Sequence, residues 1–264
     1  MPFWTVVIVL GIVEGITEFL PISSTAHLLL TERLLKAQQS VLFNVVIQCG
    51  AVLAVIPLFP VRIRQFLNWR QKAGQLYLAK LLLAFVLTAI GGYILDKRGW
   101  KLEDNPEPIA VALFLGGVGF IIVEQWLQGR NLGNEVSWAM AIAVGLGQLL
   151  AAAFPGTSRS GVTILFCLCL GLNRVAATEF CFLVGIPTML AAGAWHMVKL
   201  LRHQAPGTAP ENWEMLMLGC VVSAIVSFIA VKWLLRYIQT HTFVLFGWYR
   251  IAVAAVIAIL HFYL

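Results

Sequence analysis

The stretch that decides the fold is Glu14-Gly-Ile-Thr-Glu-Phe-Leu-Pro-Ile-Ser-Ser-Thr-Ala-His27, which places two carboxylates, several hydroxyls and an imidazole between apolar runs. The chain is almost purely hydrocarbon over residues 3–13 before it and 28–30 after it. Ionisable side chains at membrane depth are costly, so they are rare and usually functional. Pro21 interrupts the stretch and should end or break a helix there. We therefore interpret this first arm, residues 14–27, as half of a catalytic site on a broken helix inside a bilayer.

The composition indicates the class of protein. Of the 264 residues, 60% are hydrophobic and only 11% are charged, whereas a soluble domain has roughly 25% charged residues. The chain is therefore predicted to be an all-α polytopic membrane protein. Its net charge of +6 fits cytoplasmic loops and anionic lipid better than nucleic acid. The five cysteines lie in apolar runs without CxxC spacing, which argues against a disulfide framework or a zinc site.

Six stretches are long and apolar enough to cross a bilayer, which takes about 20 residues. They are residues 41–60, 76–95, 109–127, 178–200, 214–236 and 243–263. Four further apolar stretches are short and form two interrupted pairs. These are residues 3–20 and 22–35, split by Pro21, and residues 138–153 and 161–172, split by Pro155-Gly156. Such pairs are typical of re-entrant helices, because broken backbone is tolerated at membrane depth only where protein or a water-filled cavity surrounds it.

The two interrupted pairs resemble each other. A shift of 134 residues aligns Gly11, Glu14, Pro21, Ser23 and Ser24 with Gly145, Gln148, Pro155, Thr157 and Ser158. Each half then has one re-entrant pair and three spans, so the second half must be inverted relative to the first. Many transporters have such inverted-topology repeats, with a site at the midplane between them. We expect a single membrane domain over residues 1–264, with repeat 1 at about 1–130 and repeat 2 at about 131–264.

The loop charges predict the orientation. Residues 61–80 carry five basic side chains and no acidic one, which places this segment in the cytoplasm. The loop 96–108 carries four acidic and three basic side chains and fits the outside. Counting spans puts both termini outside. The first pair then enters from the outer face and the second from the cytoplasm, so that their tips can meet near the midplane.

Glu14 and Glu18 lie one helical turn apart and share a face. Two negative charges so placed repel each other, and a cation or a shared proton between them would offset this repulsion. Carboxylate oxygens suit Mg²⁺ or Ca²⁺. One of the two carboxyl groups could instead be a general base, and a third interpretation is a pair of acids that only brace helices.

Ser23, Ser24 and Thr25 follow Pro21, where the next helix would begin. Ser and Thr are favoured N-caps, but a helix N-terminus is also an anion site. Ser24 and His27 are three residues apart and therefore neighbours on one helical face. A hydroxyl beside an imidazole is the elementary pair of nucleophile and base, although His27 could equally be a hydrogen-bonded structural residue.

The second arm is Pro155-Gly-Thr157-Ser158-Arg159-Ser160-Gly-Val-Thr163, with a glycine turn, four hydroxyls and one guanidinium at another helix start. Arginine matches phosphate oxygens with a planar fork, and hydroxyls with helix-start amides complete a cradle for an anion. Arg159 could otherwise pair with Glu14 or Glu18. Gln148, which aligns with Glu14, could bind at the same site or bridge helices. There is no GxxxxGK[ST] loop, so nucleotide use is unsupported.

Other polar residues in apolar surroundings are given structural interpretations. Glu179 follows Arg174 closely, so we expect an ion pair between them. Asn44 and Gln48 are one turn apart and are interpreted as hydrogen-bonding groups between helices. Arg250 begins the last span and is predicted to extend towards the membrane interface.

Together these features indicate an acid pair for a divalent cation, a Ser–His pair and an Arg–hydroxyl clamp for phosphate, in a cleft with apolar walls. The substrate that fits is a phosphorylated lipid, and the reaction is phosphoryl transfer to Ser24 or to water. The two arms also resemble the two signature motifs of the bacterial undecaprenyl-diphosphatase family, the bacitracin-resistance proteins. The similarity continues through Phe43-Asn-Val-Val-Ile-Gln-Cys-Gly, Ala177-Thr-Glu-Phe-Cys-Phe-Leu-Val-Gly-Ile-Pro and Phe246-Gly-Trp-Tyr-Arg250.

The resemblance implies an inner-membrane enzyme that removes one phosphate from undecaprenyl diphosphate. The product, undecaprenyl phosphate, is the carrier lipid of peptidoglycan synthesis. The resemblance also implies a requirement for Mg²⁺ or Ca²⁺ and inverted repeats with re-entrant helices. By matching position it gives the acidic-motif role to Glu14 and Glu18, the nucleophile role to Ser24 with His27 as its partner, and diphosphate binding to Arg159, Ser158 and Ser160.

The chain departs from the family pattern at Ala26, where the family usually has Gly, and the loop after residue 60 looks short for the family. A rival hypothesis is a transporter or flippase for the same lipid or another anion, which would have similar repeats but needs no Ser–His pair. The expected partners are a polyprenyl diphosphate lipid and membrane lipid, and no nucleic acid. The oligomeric state is left open, with a homodimer as one option, and the site is expected to open to the periplasmic side.

Overall fold

A computed structural model describes residues 2–68, 70–100, 105–202 and 212–263, and this part of the chain is helical throughout, without a β-strand. Within these described ranges eleven α-helices follow one another, and a short 3₁₀ turn, Ile56–Leu58, extends the third. In chain order they are α1 Phe3–Thr17, α2 Ser24–Leu35, α3 Val41–Val55, α4 Pro60–Leu67, α5 Lys72–Lys97, α6 Pro106–Trp126, α7 Trp138–Ala153, α8 Arg159–Cys169, α9 Arg174–Arg202, α10 Trp213–Tyr237 and α11 Val244–Tyr263.

The six predicted spans are confirmed. In the part of the chain that the structure describes, six helical segments are long and apolar enough to cross a membrane, namely α3 with its 3₁₀ extension, α5, α6, α9, α10 and α11. Their outward faces carry exposed aliphatic side chains such as Leu115, Ile225 and Ile229. Aliphatic surface this extensive fits lipid rather than water. Several charges used to predict the orientation lie outside the described residues, namely Lys101, Glu103 and Asp104.

The two interrupted pairs are α1 with α2 and α7 with α8, each too short to cross a bilayer. The first pair turns at residues 18–23 and the second at residues 154–158. Ser23 and Ser158, the N-caps of α2 and α8, have φ angles of 74° and 66°. Such φ angles are uncommon outside glycine and mark strained backbone, which clusters at functional sites. The re-entrant placement of the pairs in a bilayer stays a prediction.

Helices that correspond to each other in the two predicted repeats make corresponding contacts. Helix α1 packs on α10 as its counterpart α7 packs on α5, and α6 packs on its own counterpart α11. Small residues make these crossings close. A Cβ at Gly11 would lie 2.9 Å from the carbonyl oxygen of Gly219, and one at Gly145 would lie 3.1 Å from that of Ala84. The predicted repeats therefore place aligned glycines at similar helix contacts, and the division into repeats stays a prediction.

The predicted alignment of the two turns is wrong by one residue. The second turn has two residues between its proline and the N-cap Ser158, whereas the first has one, so Ser158 corresponds to Ser23. Ser24 therefore corresponds to Arg159, the first residue of α8. The first turn thus presents a hydroxyl where the second presents a guanidinium.

The expected ion pair between Arg174 and Glu179 is also wrong. Arg174 pairs with Glu124 on α6, and Glu179 accepts a 2.5 Å hydrogen bond from Nε of Arg62 on α4. Both acids have partners from helices that are distant in sequence, so the two pairs connect α9 to α6 and to α4.

Candidate active site

A cavity of about 480 Å³ lies between the two turns and helices α5, α7 and α9. Its lining combines polar side chains with small and large apolar ones. The polar lining residues are Glu18, Ser23, Ser24, Thr25, Gln48, Thr88, Asp96, Gln148, Ser158, Arg159, Thr188 and His196, and the others include Phe85, Ala89, Gly92, Tyr93, Leu149, Ala151, Ala191, Ala192 and Trp195. Such a cavity suits a ligand with a polar head and a hydrocarbon tail.

Glu18 contacts Ser24, Gln48 and Arg159, which also line the cavity. Its side chain is only 5% exposed. The Ser24 hydroxyl donates a 2.6 Å hydrogen bond to Oε2, and the Gln48 amide donates a 3.1 Å hydrogen bond to Oε1. A hydroxyl that already donates to a carboxylate has an acceptor in place for its proton. The geometry therefore pairs Ser24 with Glu18.

Arg159 faces the same carboxylate from the second turn. Its Nη2 lies 4.0 Å from Oε1 of Glu18, and about a third of its side chain is exposed (32%). This separation is too long for a hydrogen bond, so the guanidinium retains donors for another anion. An arginine fork of this kind binds phosphate oxygens two at a time. The two arms thus bring a hydroxyl–carboxylate pair and a guanidinium into one cavity.

In the structure Ser24 and His27 hydrogen-bond to other groups and not to each other. The Nδ1 atom of His27 lies 2.7 Å from the carbonyl oxygen of Ser23, and Nε2 lies 2.8 Å from the Tyr249 hydroxyl. The imidazole also stacks on the Tyr249 ring, with the ring planes 2° apart. Helical spacing places Ser24 and His27 at neighbouring positions, but Nε2 of His27 lies within hydrogen-bond distance of the Tyr249 hydroxyl on α11. His27 therefore supports the backbone of the turn, while Glu18 contacts the Ser24 hydroxyl.

Glu14 is only 2% exposed and is not among the residues that line the cavity. Among the described residues its Oε2 atom has no hydrogen-bond partner. An unpaired carboxylate oxygen one turn from a second buried carboxylate fits a divalent cation, because Mg²⁺ and Ca²⁺ prefer oxygen ligands. No three His, Cys, Asp or Glu side chains cluster for a metal within the described ranges. The protein would therefore supply two carboxylates and leave the other positions to water and substrate oxygens, as Mg²⁺ sites commonly do.

Gln148 lies in the second arm at the place of Glu14 in the first. It is 3% exposed and lines the cavity. Its Oε1 accepts a 2.8 Å hydrogen bond from the Thr188 hydroxyl, whereas its Nε2 has no partner in the part of the chain that the structure describes. A buried donor without an acceptor is costly, so this amide group is suited to bind an acceptor in the cavity.

The predicted hydroxyls divide into two groups. Ser23, Thr25 and Ser158 line the cavity. The other three bond to main-chain oxygens: Thr157 to Phe154, Thr163 to Arg159 and Ser160, and Ser160 to Leu20. Thr157, Ser160 and Thr163 therefore shape the second arm, and the cavity wall does not include them.

Sequence reasoning missed three residues of the site. Gln48 was interpreted as a bridge between helices but bonds to Glu18, and Thr188 orients Gln148. Both are polar residues in apolar spans, which is the pattern that could have indicated them. Arg250 was predicted to extend to the interface, and this is wrong because its side chain is fully buried.

The chain is similar over most of its length to proteins of one family. The family model for bacitracin resistance protein BacA matches residues 7–256. The undecaprenyl-diphosphatase of Rhizobium johnstonii is 49% identical over 245 residues, which cover 92% of this chain and 91% of the relative. The undecaprenyl-diphosphatases of Xanthomonas euvesicatoria and Xylella fastidiosa are 43% identical over 250 and 252 residues, covering 94% and 95% of this chain and 93% and 95% of those relatives.

Proposed function

This chain belongs to the bacitracin resistance protein BacA family, and we propose that it hydrolyses undecaprenyl diphosphate to undecaprenyl phosphate and inorganic phosphate within the membrane. The observation that carries the proposal is the 2.6 Å hydrogen bond from Ser24 to Glu18 in the cavity that Arg159 also lines. The relatives named undecaprenyl-diphosphatase support it over nearly the whole chain. We propose that the product re-enters the pool of lipid carrier for cell-wall synthesis.

The residues divide the reaction between the two arms. Arg159 binds the phosphate oxygens and, with the Gln148 amide, offsets the charge that develops on them. The Ser24 oxygen attacks the terminal phosphorus as its proton passes to Glu18. The bond from that phosphorus to the bridging oxygen breaks, and undecaprenyl phosphate leaves. Glu18 passes this proton to the departing undecaprenyl phosphate and is a base again. Water then attacks the phosphoserine as one of its protons passes to Glu18, the bond from phosphorus to the Ser24 oxygen breaks, and Glu18 returns the proton to that oxygen as inorganic phosphate is released.

A second route uses water directly as the nucleophile, with Glu18 as its base. His27 is disfavoured as the nucleophile because both of its ring nitrogens lie within hydrogen-bond distance of other groups. The two remaining routes differ in one covalent species, a phosphoserine at position 24. Rapid acid quench followed by mass spectrometry of the peptide that contains Ser24 distinguishes them.

Glu14 and Glu18 would hold Mg²⁺ or Ca²⁺, which neutralises negative charge on the diphosphate when it is bound. The unpaired Oε2 of Glu14 supports this assignment. The metal requirement is measured as phosphate release by purified protein in detergent, before and after EDTA. We expect release to stop with EDTA and to return with excess Mg²⁺ or Ca²⁺. Unchanged release in EDTA would exclude the metal.

We place the protein in the bacterial inner membrane with the cavity open to the periplasmic side. The basic residues Arg62, Arg64 and Lys72 put the start of α5 in the cytoplasm. The cavity is lined by the second half of α5, from Phe85 to Asp96. It therefore lies towards the outer end of that helix. A homodimer stays a prediction.

A transporter or flippase is the alternative function, because broken helices around a polar cavity are also typical of transporters. Transport needs an anion clamp such as Arg159 but no hydroxyl aligned on a carboxylate. The test is the release of inorganic phosphate from undecaprenyl diphosphate by protein in detergent, where no membrane separates two sides. Sustained release supports the phosphatase, and lipid transfer across vesicles without any release would support the transporter.

A further inference from the structure

Arg250 on α11 has the largest side chain that is fully buried in the described ranges, at 0% exposure. The hydrogen bonds that it makes there run to backbone carbonyl oxygens. Intramembrane charges pair with one another or with backbone carbonyls. A cation held by carbonyls alone carries its positive charge in the empty site and fixes the backbone segments that supply those carbonyls.

These carbonyls come from three segments. Nη1 donates to Pro21 in the first turn over 3.1 Å, and Nη2 donates to Thr157 in the second turn over 3.0 Å. On α6, Nη2 also lies 3.2 Å from the oxygen of Ala112, and Nε donates to Leu113 over 3.3 Å. The planar guanidinium with five N–H donors can serve such a spread of acceptors, whereas an ammonium group cannot.

Two glycines make room for this side chain. A Cβ at Gly161 would lie 2.8 Å from Nη1 of Arg250, and a Cβ at Gly116 would lie closer still to Nη2. Gly161 belongs to the second arm, where the sequence alone gives it no role. The structure indicates that its missing side chain lets the guanidinium approach the second turn.

The two turns that Arg250 joins are those that carry the reacting groups. Pro21 precedes Ser24 by three residues, and Thr157 precedes Arg159 by two. A further hydrogen bond joins the start of α8 to the first turn, from the Ser160 hydroxyl to the carbonyl of Leu20 over 3.1 Å. A misplacement of about 1 Å between reacting groups can cost about 100-fold in rate. We propose that Arg250 is a positioning residue whose guanidinium ties the two turns together and so sets the distance between Ser24 and Arg159.

The catalytic part of this proposal rests on the proposed phosphatase function. One of the two experiments that test it does not depend on that function. Arg250→Lys keeps the positive charge but loses the planar guanidinium that donates hydrogen bonds to both turns. We expect its kcat for phosphate release from undecaprenyl diphosphate to fall about 100-fold, with a much smaller change in KM. Added guanidinium ion should restore part of the kcat of Arg250→Ala and leave Arg250→Lys unchanged. Arg236→Gln, on the exposed face of α10, is the matched control and should behave as wild type.

The second experiment measures hydrogen–deuterium exchange of the same variants in detergent. We expect faster exchange at residues 18–23 and 154–158 in Arg250→Lys, with α10 as protected as in wild type. Wild-type kcat in Arg250→Lys, or faster exchange spread evenly over all helices, would overturn the positioning role. If wild-type protein releases no phosphate, the proposed function fails, but faster exchange confined to the two turns still supports the tie between them.

Discussion

Glu18→Gln tests the role of Glu18 as the acceptor of the Ser24 proton, and the assay uses excess Mg²⁺ because Glu18 is also a proposed ligand of the cation. The substitution keeps the shape of the side chain and removes its charge. Glu18 accepts one hydrogen bond from Ser24 and one from Gln48 through different oxygens. An amide has a single acceptor oxygen, so at least one of the two bonds is lost. The amide also cannot take the proton from Ser24.

The expected loss follows from these two effects. A positioned general base contributes about 10²- to 10⁴-fold to the rate, which corresponds to about 2.7–5.4 kcal/mol at 1.36 kcal/mol for each factor of ten. We therefore expect kcat to fall by about 10²- to 10⁴-fold. The assay is the initial rate of phosphate release from undecaprenyl diphosphate by purified protein in detergent with Mg²⁺. Thermal unfolding of each variant checks that the fold is retained.

Glu107→Gln is the matched control. Glu107 is an acid at the start of α6 whose side chain is 72% exposed, and its substitution should leave kcat unchanged. Ser24→Ala and the variant that combines it with Glu18→Gln complete a double-mutant cycle. Because the two residues act as one unit, the double variant should be no slower than the slower single variant. A kcat for Glu18→Gln within twofold of wild type, or losses that multiply in the double variant, would refute the assignment.

Three further variants test separate parts of the site and the fold. Tyr249→Phe removes the partner of His27 and should lower kcat up to about tenfold, the worth of one neutral hydrogen bond; steady-state kinetics should find His27→Ala with Tyr249→Phe no slower than His27→Ala alone, and multiplying losses would contradict a shared role. Gln148→Leu removes a buried donor without a partner. It should lower kcat/KM by about 10- to 100-fold, from about 1–3 kcal/mol per lost contact, without lowering the melting temperature; full kcat/KM would show that this donor does not meet the substrate. Gly15→Ala places a Cβ 2.7 Å from the carbonyl oxygen of Ser223 and should cost about 1–3 kcal/mol of stability. Gly92→Ala, which meets nothing within 4 Å, is its control, and equal melting temperatures for the two variants would contradict the close crossing of α1 and α10.

The sequence predicts the spans and the two arms well because both depend on local composition. A span is a run of apolar residues of fixed length, and the arms are clusters of polar residues within such runs. Glu18 and Arg159 could therefore be placed at one site before their contact was seen. The one-residue error between the two turns arose because a serine with positive φ carries no signal in the sequence, so Ser23 and Ser158 were not recognised as equivalent caps.

The remaining errors concern contacts between residues that are distant in sequence. Helical spacing correctly makes Ser24 and His27 neighbours, but their hydrogen bonds go to Glu18 and to Tyr249, the latter 222 positions away. Arg250 looked like an interfacial residue because it lies near a helix start. Its place is set by carbonyls of two turns and of α6, and the sequence does not encode such carbonyl positions in any local pattern.

We propose that the two arms form one phosphatase site, with the reacting groups on the first arm and the phosphate-binding groups on the second. The most direct measurement compares wild type with Arg159→Ala, following undecaprenyl phosphate and inorganic phosphate together in detergent with Mg²⁺. We predict that wild type forms the two products in equal amounts and that Arg159→Ala is slower by at least about 100-fold, since it loses a charged clamp on the transferred phosphate. Failure of wild type to form either product, or equal rates for the two proteins, would contradict the claim.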